Sequence, residues 1–261
     1  MKTIRNFIRI MDYQTIIVML MSIVSTYLCK RFHLTADMPS GLIGVAIIFP
    51  IVFSINAAYR RREEALRYFA SLKAHTVAIF YAHRDWVPSK DNKDRERITG
   101  IIDSLLKAIK NYFLEPAEKR QENLNKVYNG FSEISKSHEK LRESNVPAGE
   151  ISRANQYLRS IIIEFERMRN ILRYRTPVSL RSYSHVFLNC FPILFGPYFA
   201  QLATKFSPVI GYIIAIMYSL ILVSLDNIQE DLENPYDAIG EDDVDLDVAR
   251  EYRQILETSQ I

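Results

Sequence analysis

Little in this chain points to a soluble enzyme. Of 261 residues only 2 are cysteine, Cys29 and Cys190, too few for a disulfide scaffold or a thiolate metal cluster. Only 8 are glycine, and alternating polar and apolar runs are scarce, which argues against an all-β or Rossmann-type fold. There is no nucleophile elbow, phosphate loop, dinucleotide fingerprint or paired-histidine zinc motif, and the histidines are scattered at 33, 75, 83, 138 and 185. No enzymatic activity is expected, and no nucleic-acid partner.

The most telling absence is that of charge from four long stretches. Seventeen uncharged residues lie between Asp12 and Lys30, 22 between Asp37 and Arg60, 23 from Ser182 to Thr204 and 20 from Phe206 to Leu225. A bilayer core of about 30 Å needs roughly 20 apolar residues of helix, so each block is long enough or close to it. Helices of this length in a soluble core keep a polar face, and these keep almost none. Four membrane spans are expected, and both cysteines then fall inside spans. A cleaved leader is the poorer reading of the first block, because no small-residue cleavage site follows Cys29 and the second block begins soon after.

Lys and Arg near the span ends set the orientation. Lys2, Arg5 and Arg9 precede the first block, Arg60, Arg61 and Arg62 follow the second, and Arg167, Arg169, Arg173, Arg175 and Arg181 precede the third. The short connectors carry less, Lys30 and Arg31 in one and Lys205 in the other. A multi-pass protein of the cell membrane is expected, surrounded by lipid, with both termini and the long middle segment in the cytoplasm.

The formal net charge of +3 hides a strong separation. Residues 60–181 carry 25 basic and 16 acidic side chains, while residues 226–261 carry 12 acidic and 2 basic. The chain thus divides into an N-terminal segment with two spans (1–59), a basic cytoplasmic helical domain (60–181), two further spans (182–225) and an acidic cytoplasmic tail (226–261).

Helical periodicity dominates the middle. Ile98, Ile101, Ile102, Leu105, Leu106, Ile109 and Phe113 share one helix face, Leu124, Val127, Phe131 and Ile134 form another after Pro116, and Leu158, Ile161, Ile162, Phe165, Met168 and Leu172 a third after Pro147. Such stripes are packing faces. No Pro or Gly interrupts Asn56 to Asp85, so the second span is expected to continue into the cytoplasm as one long helix.

In the tail, Asp243, Asp245 and Asp247 repeat as D-x-D-x-D. An EF-hand starting there requires Gly at 248 and Glu at 254, and the sequence has Val248 and Gln254. Two readings stay open, a looser calcium cluster of Glu241, Asp242, Asp243, Asp245 and Asp247, and a solvated acidic strip.

Three separated segments resemble the bestrophin family of ion channels. FSINAAYRRREEALRYFASL (53–72) is similar to the family's run in which an aromatic and Asn-x-Ala-Tyr lead into a basic, Glu-containing helix. RYRTPVSLRSYSHVFLNCFPILFGPYF (173–199) resembles the Thr-Pro turn before the third span, and ENPYDAIGEDDVDLD (233–247) resembles the Asn-Pro-Phe-Gly-Glu-Asp-Asp stretch after the fourth. They lie in the family's order and spacing, over nearly the whole chain. The departures are Asp237, Ala238 and Ile239 inserted before Gly240, Val244 within the acidic run, and Arg62 and Glu63 near where bacterial members carry paired tryptophans.

The resemblance implies an all-α polytopic fold assembled as a homopentamer, the second spans surrounding a central pore and the cytoplasmic helices a vestibule. Its apolar neck falls on Val45, Phe49 and Phe53, whose four-residue spacing places them on one helical face. Such rings gate by dewetting; a lipid-facing or helix-packing stripe has the same spacing. A second, cytoplasmic aperture falls on Val146 or Ile151. A calcium clasp, as in eukaryotic members, draws on Glu241, Asp242, Asp243 and Asp245 with a backbone carbonyl near the N-terminus; Ca2+ is the one cofactor implied. The implied function is passive conduction of anions such as chloride, with or without calcium regulation. The alternatives are a cation-selective channel of the same type and a non-conducting membrane scaffold that displays a helical domain to partners.

Overall fold

A computed structural model describes residues 11–37, 40–87, 92–174, 178–240 and 242–258. Helices dominate and no strand occurs among the described residues. In chain order they are α1 (Tyr13–Arg31), α2 (Ser40–Asp85), α3 (Asn92–Leu114), α4 (Arg120–Glu143), α5 (Ala148–Arg173), α6 (Val178–Lys205), α7 (Pro208–Glu233) and α8 (Ala249–Thr258), with a 3-10 turn at Ala117–Lys119. The all-α expectation holds. The expected turn around Pro88 and the Thr176-Pro177 turn lie outside the described residues.

The chain forms two compact units, Met1–Arg60 with Arg175–Glu233, and Arg61–Tyr174 with Asn234–Ile261. In the first unit α1, α6 and α7 pack against one another. Asp12 starts α1 by accepting the Thr15 N–H (2.9 Å), satisfying a donor that the first helical turn leaves open. Lys30 and Arg31 end it, where positive charge suits the helix dipole. An aromatic run at four-residue spacing, Phe191, Phe195 and Phe199 on α6, builds the core with Ile51, Leu188, Ala215 and Leu222. Gly211 lets α7 touch α6: a Cβ there would meet the Ala203 backbone at 2.7 Å. Among the described residues three helices are long and apolar enough to cross a membrane, Tyr13–Arg31, Val186–Lys205 and Pro208–Glu233. The second apolar block forms the N-terminal part of α2.

That helix carries the expected continuity. It runs for 46 residues to Asp85, about 70 Å at 1.5 Å per residue. Pro50 lies inside it without ending it.

The second unit buries the three predicted stripes in one core. Ile98, Ile102, Leu105, Leu106, Ile109 and Phe113 meet Val127, Phe131 and Ile134 and then Leu158, Ile161, Phe165, Met168 and Leu172, with Phe69, Leu72, Ile79 and Phe80 of α2. The tail joins this core. Val244, Leu246 and Val248 are buried in it with Tyr236 and Leu256, while Asp245 and Asp247 between them stay exposed. Residues 243–248 form a strap whose alternation has period two: the repeated aspartates are the outer face of a segment held by its inner apolar residues.

Candidate pore-lining helix and acidic loop

Within the first unit the N-terminal part of α2 has two faces. Ile51, Ser54 and Ala58 are buried (1%, 0% and 0% exposed), with Ile48 and Ile55 packed beside them. The opposite face is bare and apolar: Val45 is 63% exposed, Phe49 60% and Phe53 55%, with Val52 between them. The Phe49 and Phe53 rings meet edge to face at 4.6 Å between centroids, a geometry that holds both side chains on this face. Further along, at steps of three and four residues, the exposed face carries Asn56 and then Arg60. Sequence reading stopped at Phe53 and missed this change from apolar to polar to basic; the i+3 and i+7 positions of the same helix face would have found it.

Three consecutive arginines leave that face in different directions. Arg61 and Arg62 belong to the second unit, where Arg61 Nη2 donates to the Ile171 carbonyl (2.7 Å). Arg62 Nε donates to the Asp242 carbonyl (2.7 Å) and its Nη1 to Glu63 Oε1 (2.7 Å). Both serve as ties, the second of them to the acidic loop.

That loop, between Asn234 and Val244, is closed by the Val244 N–H on the Pro235 carbonyl (2.9 Å) and anchored by buried Tyr236 against Phe113 (4.4 Å between ring centroids). Ala238 takes a positive φ of 58° at its bend. Of the expected calcium ligands, Glu241 lies outside the described residues, as do residues 1–10. Asp242 is exposed and engages Arg62 through its carbonyl. Asp245 accepts the Asp247 N–H (2.8 Å). Asp243 sits beside Asp237, an acid the sequence reading left out of the cluster. Partial burial, then the hydrogen bond and the negative charge of Asp237, push the Asp243 carboxyl up to about 6. Asp237 also accepts from the Asn234 amide (2.7 Å) and the Ile239 N–H (3.2 Å), and that same N–H reaches Asp243 (3.1 Å).

Among the described residues these acids do not make a calcium cage. Calcium takes six to eight oxygens, whereas the Asp237 and Asp243 carboxyls accept from the Asn234 amide and the Ile239 N–H. Among the described residues no three Asp, Glu, His or Cys side chains converge on a cation position.

No family model and no curated protein matches the sequence. Solved structures do. The crystal structure of a bacterial bestrophin homolog from Klebsiella pneumoniae matches with a TM-score of 0.77 over 94% of this chain and 97% of that one, at 16% identity. A variant of that homolog carrying one substitution matches with a TM-score of 0.76 over 94% of this chain and 98% of that one, at 17% identity. The chain has the bestrophin fold.

In this bestrophin fold Val146 and Ile151, named for a cytoplasmic aperture, lie inside the second unit. They form a small cluster with Leu141 and Ala154, backed by Trp86 and Val87, and both are buried within the chain. The backbone carries them around the turn from α4 to α5, where Asn145 has a positive φ of 59° and the Val146 N–H caps α4 at the Leu141 carbonyl (3.1 Å).

Proposed function

We propose that this chain is a subunit of a bestrophin-type ion channel, a homopentamer in the cell membrane with four spans per subunit and both termini in the cytoplasm, passing small anions such as chloride. The pore is lined by α2, and Val45, Phe49 and Phe53 form its apolar neck. One observation carries the reading: α2 packs one face into its own unit and leaves the opposite, aromatic face bare. A soluble chain rarely leaves so large an apolar strip uncovered; five copies around an axis turn the strip into stacked apolar rings whose wetting controls conduction. The bestrophin fold supports the channel assignment; the basic excess of residues 60–181 favours anions, and the acidic tail that packs into the same unit offsets it. Calcium is given no role in the proposal, because among the described residues no three Asp, Glu, His or Cys side chains converge on a cation position. Val146 and Ile151, buried in the single chain, are assigned to packing rather than to a second constriction.

The test is purified protein in liposomes under a chloride or a potassium gradient. A reversal potential that follows chloride supports the proposal, one that follows potassium favours the cation-selective alternative, and no current with either ion refutes both. Cross-linking in membranes then separates the channel from a non-conducting scaffold: a ladder of five bands fits the pore, and a ladder ending at two fits the scaffold. In Phe49→Ala with Phe53→Ala, conductance should rise or gating disappear; currents identical to wild type would remove the neck assignment.

A further inference from the structure

We propose that Arg60, with Asn56 one turn before it, forms a cationic ring at the end of the neck and is the residue that selects small inorganic anions over cations. The inference rests on the reading of α2 as the pore helix and adds a selectivity-determining residue to it.

The argument begins with helical register. Val45, Phe49, Phe53, Asn56 and Arg60 follow one another at steps of three and four on a single helix face. Asn56, Arg60 and the three apolar residues are all exposed in the chain, while Ile51, Ser54 and Ala58 on the opposite face are buried. Whatever environment the neck residues meet, Arg60 meets it two turns later. A guanidinium at the end of an apolar strip is poorly placed against hydrocarbon and well placed at a wet mouth. Seven residues of helix set it about 10 Å from Phe53, comparable with the Debye length of about 8–10 Å in physiological salt, so its charge is felt at the narrowest rings. Five copies concentrate that field around one axis, and the low dielectric of apolar walls strengthens it.

Its two neighbours identify the charge that is available. Arg61 is spent on the Ile171 carbonyl, and Arg62 on Glu63 and the Asp242 carbonyl. Of the three arginines, Arg60 alone continues the neck face. Asn56, neutral and able to donate and accept, supplies the hydration step between dry rings and charged mouth.

The test compares reversal potentials of full-length protein in liposomes under a potassium chloride gradient for wild type, Arg60→Lys, Arg60→Gln and Arg60→Glu. Wild type and Arg60→Lys should both favour chloride. Arg60→Gln should lower the chloride-to-potassium permeability ratio by on the order of tenfold, and Arg60→Glu should reverse the preference. The cross-linking ladder shows that each variant assembles; if Arg60→Glu fails to assemble, Arg60→Gln, which removes only the charge, decides. A permeability ratio unchanged in the assembled variants overturns the inference and leaves the channel standing. Absence of current in wild type overturns the channel and the inference together.

Discussion

Acid should loosen the second unit through a buried histidine pair. His83 on α2 and His138 on α4 stack with their ring centroids 6.0 Å apart, both buried. Ser137 Oγ donates to the Ile134 carbonyl (2.6 Å), so it accepts from His83 Nε2 at 3.1 Å, and His138 Nδ1 donates to Asn155 Oδ1 on α5 (2.9 Å). His138 Nε2 is left buried without a hydrogen-bond partner. Both rings are thus held neutral. Burial first, then His138 and Arg97 of α3, bring His83 down to about 4; burial lowers His138 too, against the Asn155 bond and Glu139. For a base whose folded pKa is depressed, the unfolded chain binds the proton more readily, so stability is complete above pH 6.5 and lost as pH falls toward 4. From pH 8 to pH 5, His83 alone removes about 2 kcal/mol, roughly 4–8 °C in Tm for a unit of this size. The assay is thermal unfolding in detergent at the two pH values, with emission from Trp86, the chain's single tryptophan, which packs one turn from His83 against Leu141, Val146, Ile151 and Ala154. Carboxylates also titrate in this range, so the decisive quantity is the pH-dependent loss in wild type minus that in His83→Gln. Equal losses in the two proteins would refute the assignment of acid sensitivity to this pair.

Three further outcomes test the packing. Asp103, buried on α3, takes Lys107 Nζ at 2.9 Å and Arg253 Nη2 of α8 at 2.6 Å, so Asp103→Asn should release α8 at a cost of about 2 kcal/mol, read as faster proteolysis near Arg253; unchanged cleavage would contradict it. Gly211→Val drives two methyls into the Ala203 backbone and should lower stability by about 1–3 kcal/mol, read as loss of monodisperse protein in detergent, with wild-type behaviour the refuting result. The raised carboxyl of Asp243 disfavours the charged form, so its contribution falls as pH rises from 3.8 through 6; Asp243→Asn should be the more stable protein at pH 7.5 and lose that advantage by pH 4, and a less stable variant at pH 7.5 would show that the ionised acid is needed.

The fold was legible wherever one periodicity spoke for one partner. The stripes on α3, α4 and α5 are simple amphipathic faces, and they became a single core. The acidic tail was legible only in part: charge was conspicuous and Val244 read as an interruption of it, whereas Val244, Leu246 and Val248 alternate with the acids. They are the side that packs, and the acids are what an extended strap must show to solvent. Asp237 was hidden differently. It lies six residues before Asp243, a separation with no meaning in a helix or strand, and only the closed loop on the Pro235 carbonyl brings the two carboxyls together. Spacing rules cannot find a pair that a turn creates.

The run Arg60-Arg61-Arg62 shows the limit most sharply. Identical side chains in consecutive positions read as one basic cluster, useful for orientation and silent on role. A helix advances 100° per residue, so three neighbours cannot share a face. Arg61 and Arg62 turn to carbonyl oxygens at Ile171 and Asp242, acceptors from distant segments that no local count predicts. Arg60 was assignable from sequence, because its partners in register, Phe53 and Phe49, lie on the same helix. The general consequence is that positive charge on a membrane-exit helix must be divided by face before it is counted toward ion selection. On the pore reading proposed above, that division leaves one of the three arginines, Arg60, on the neck face.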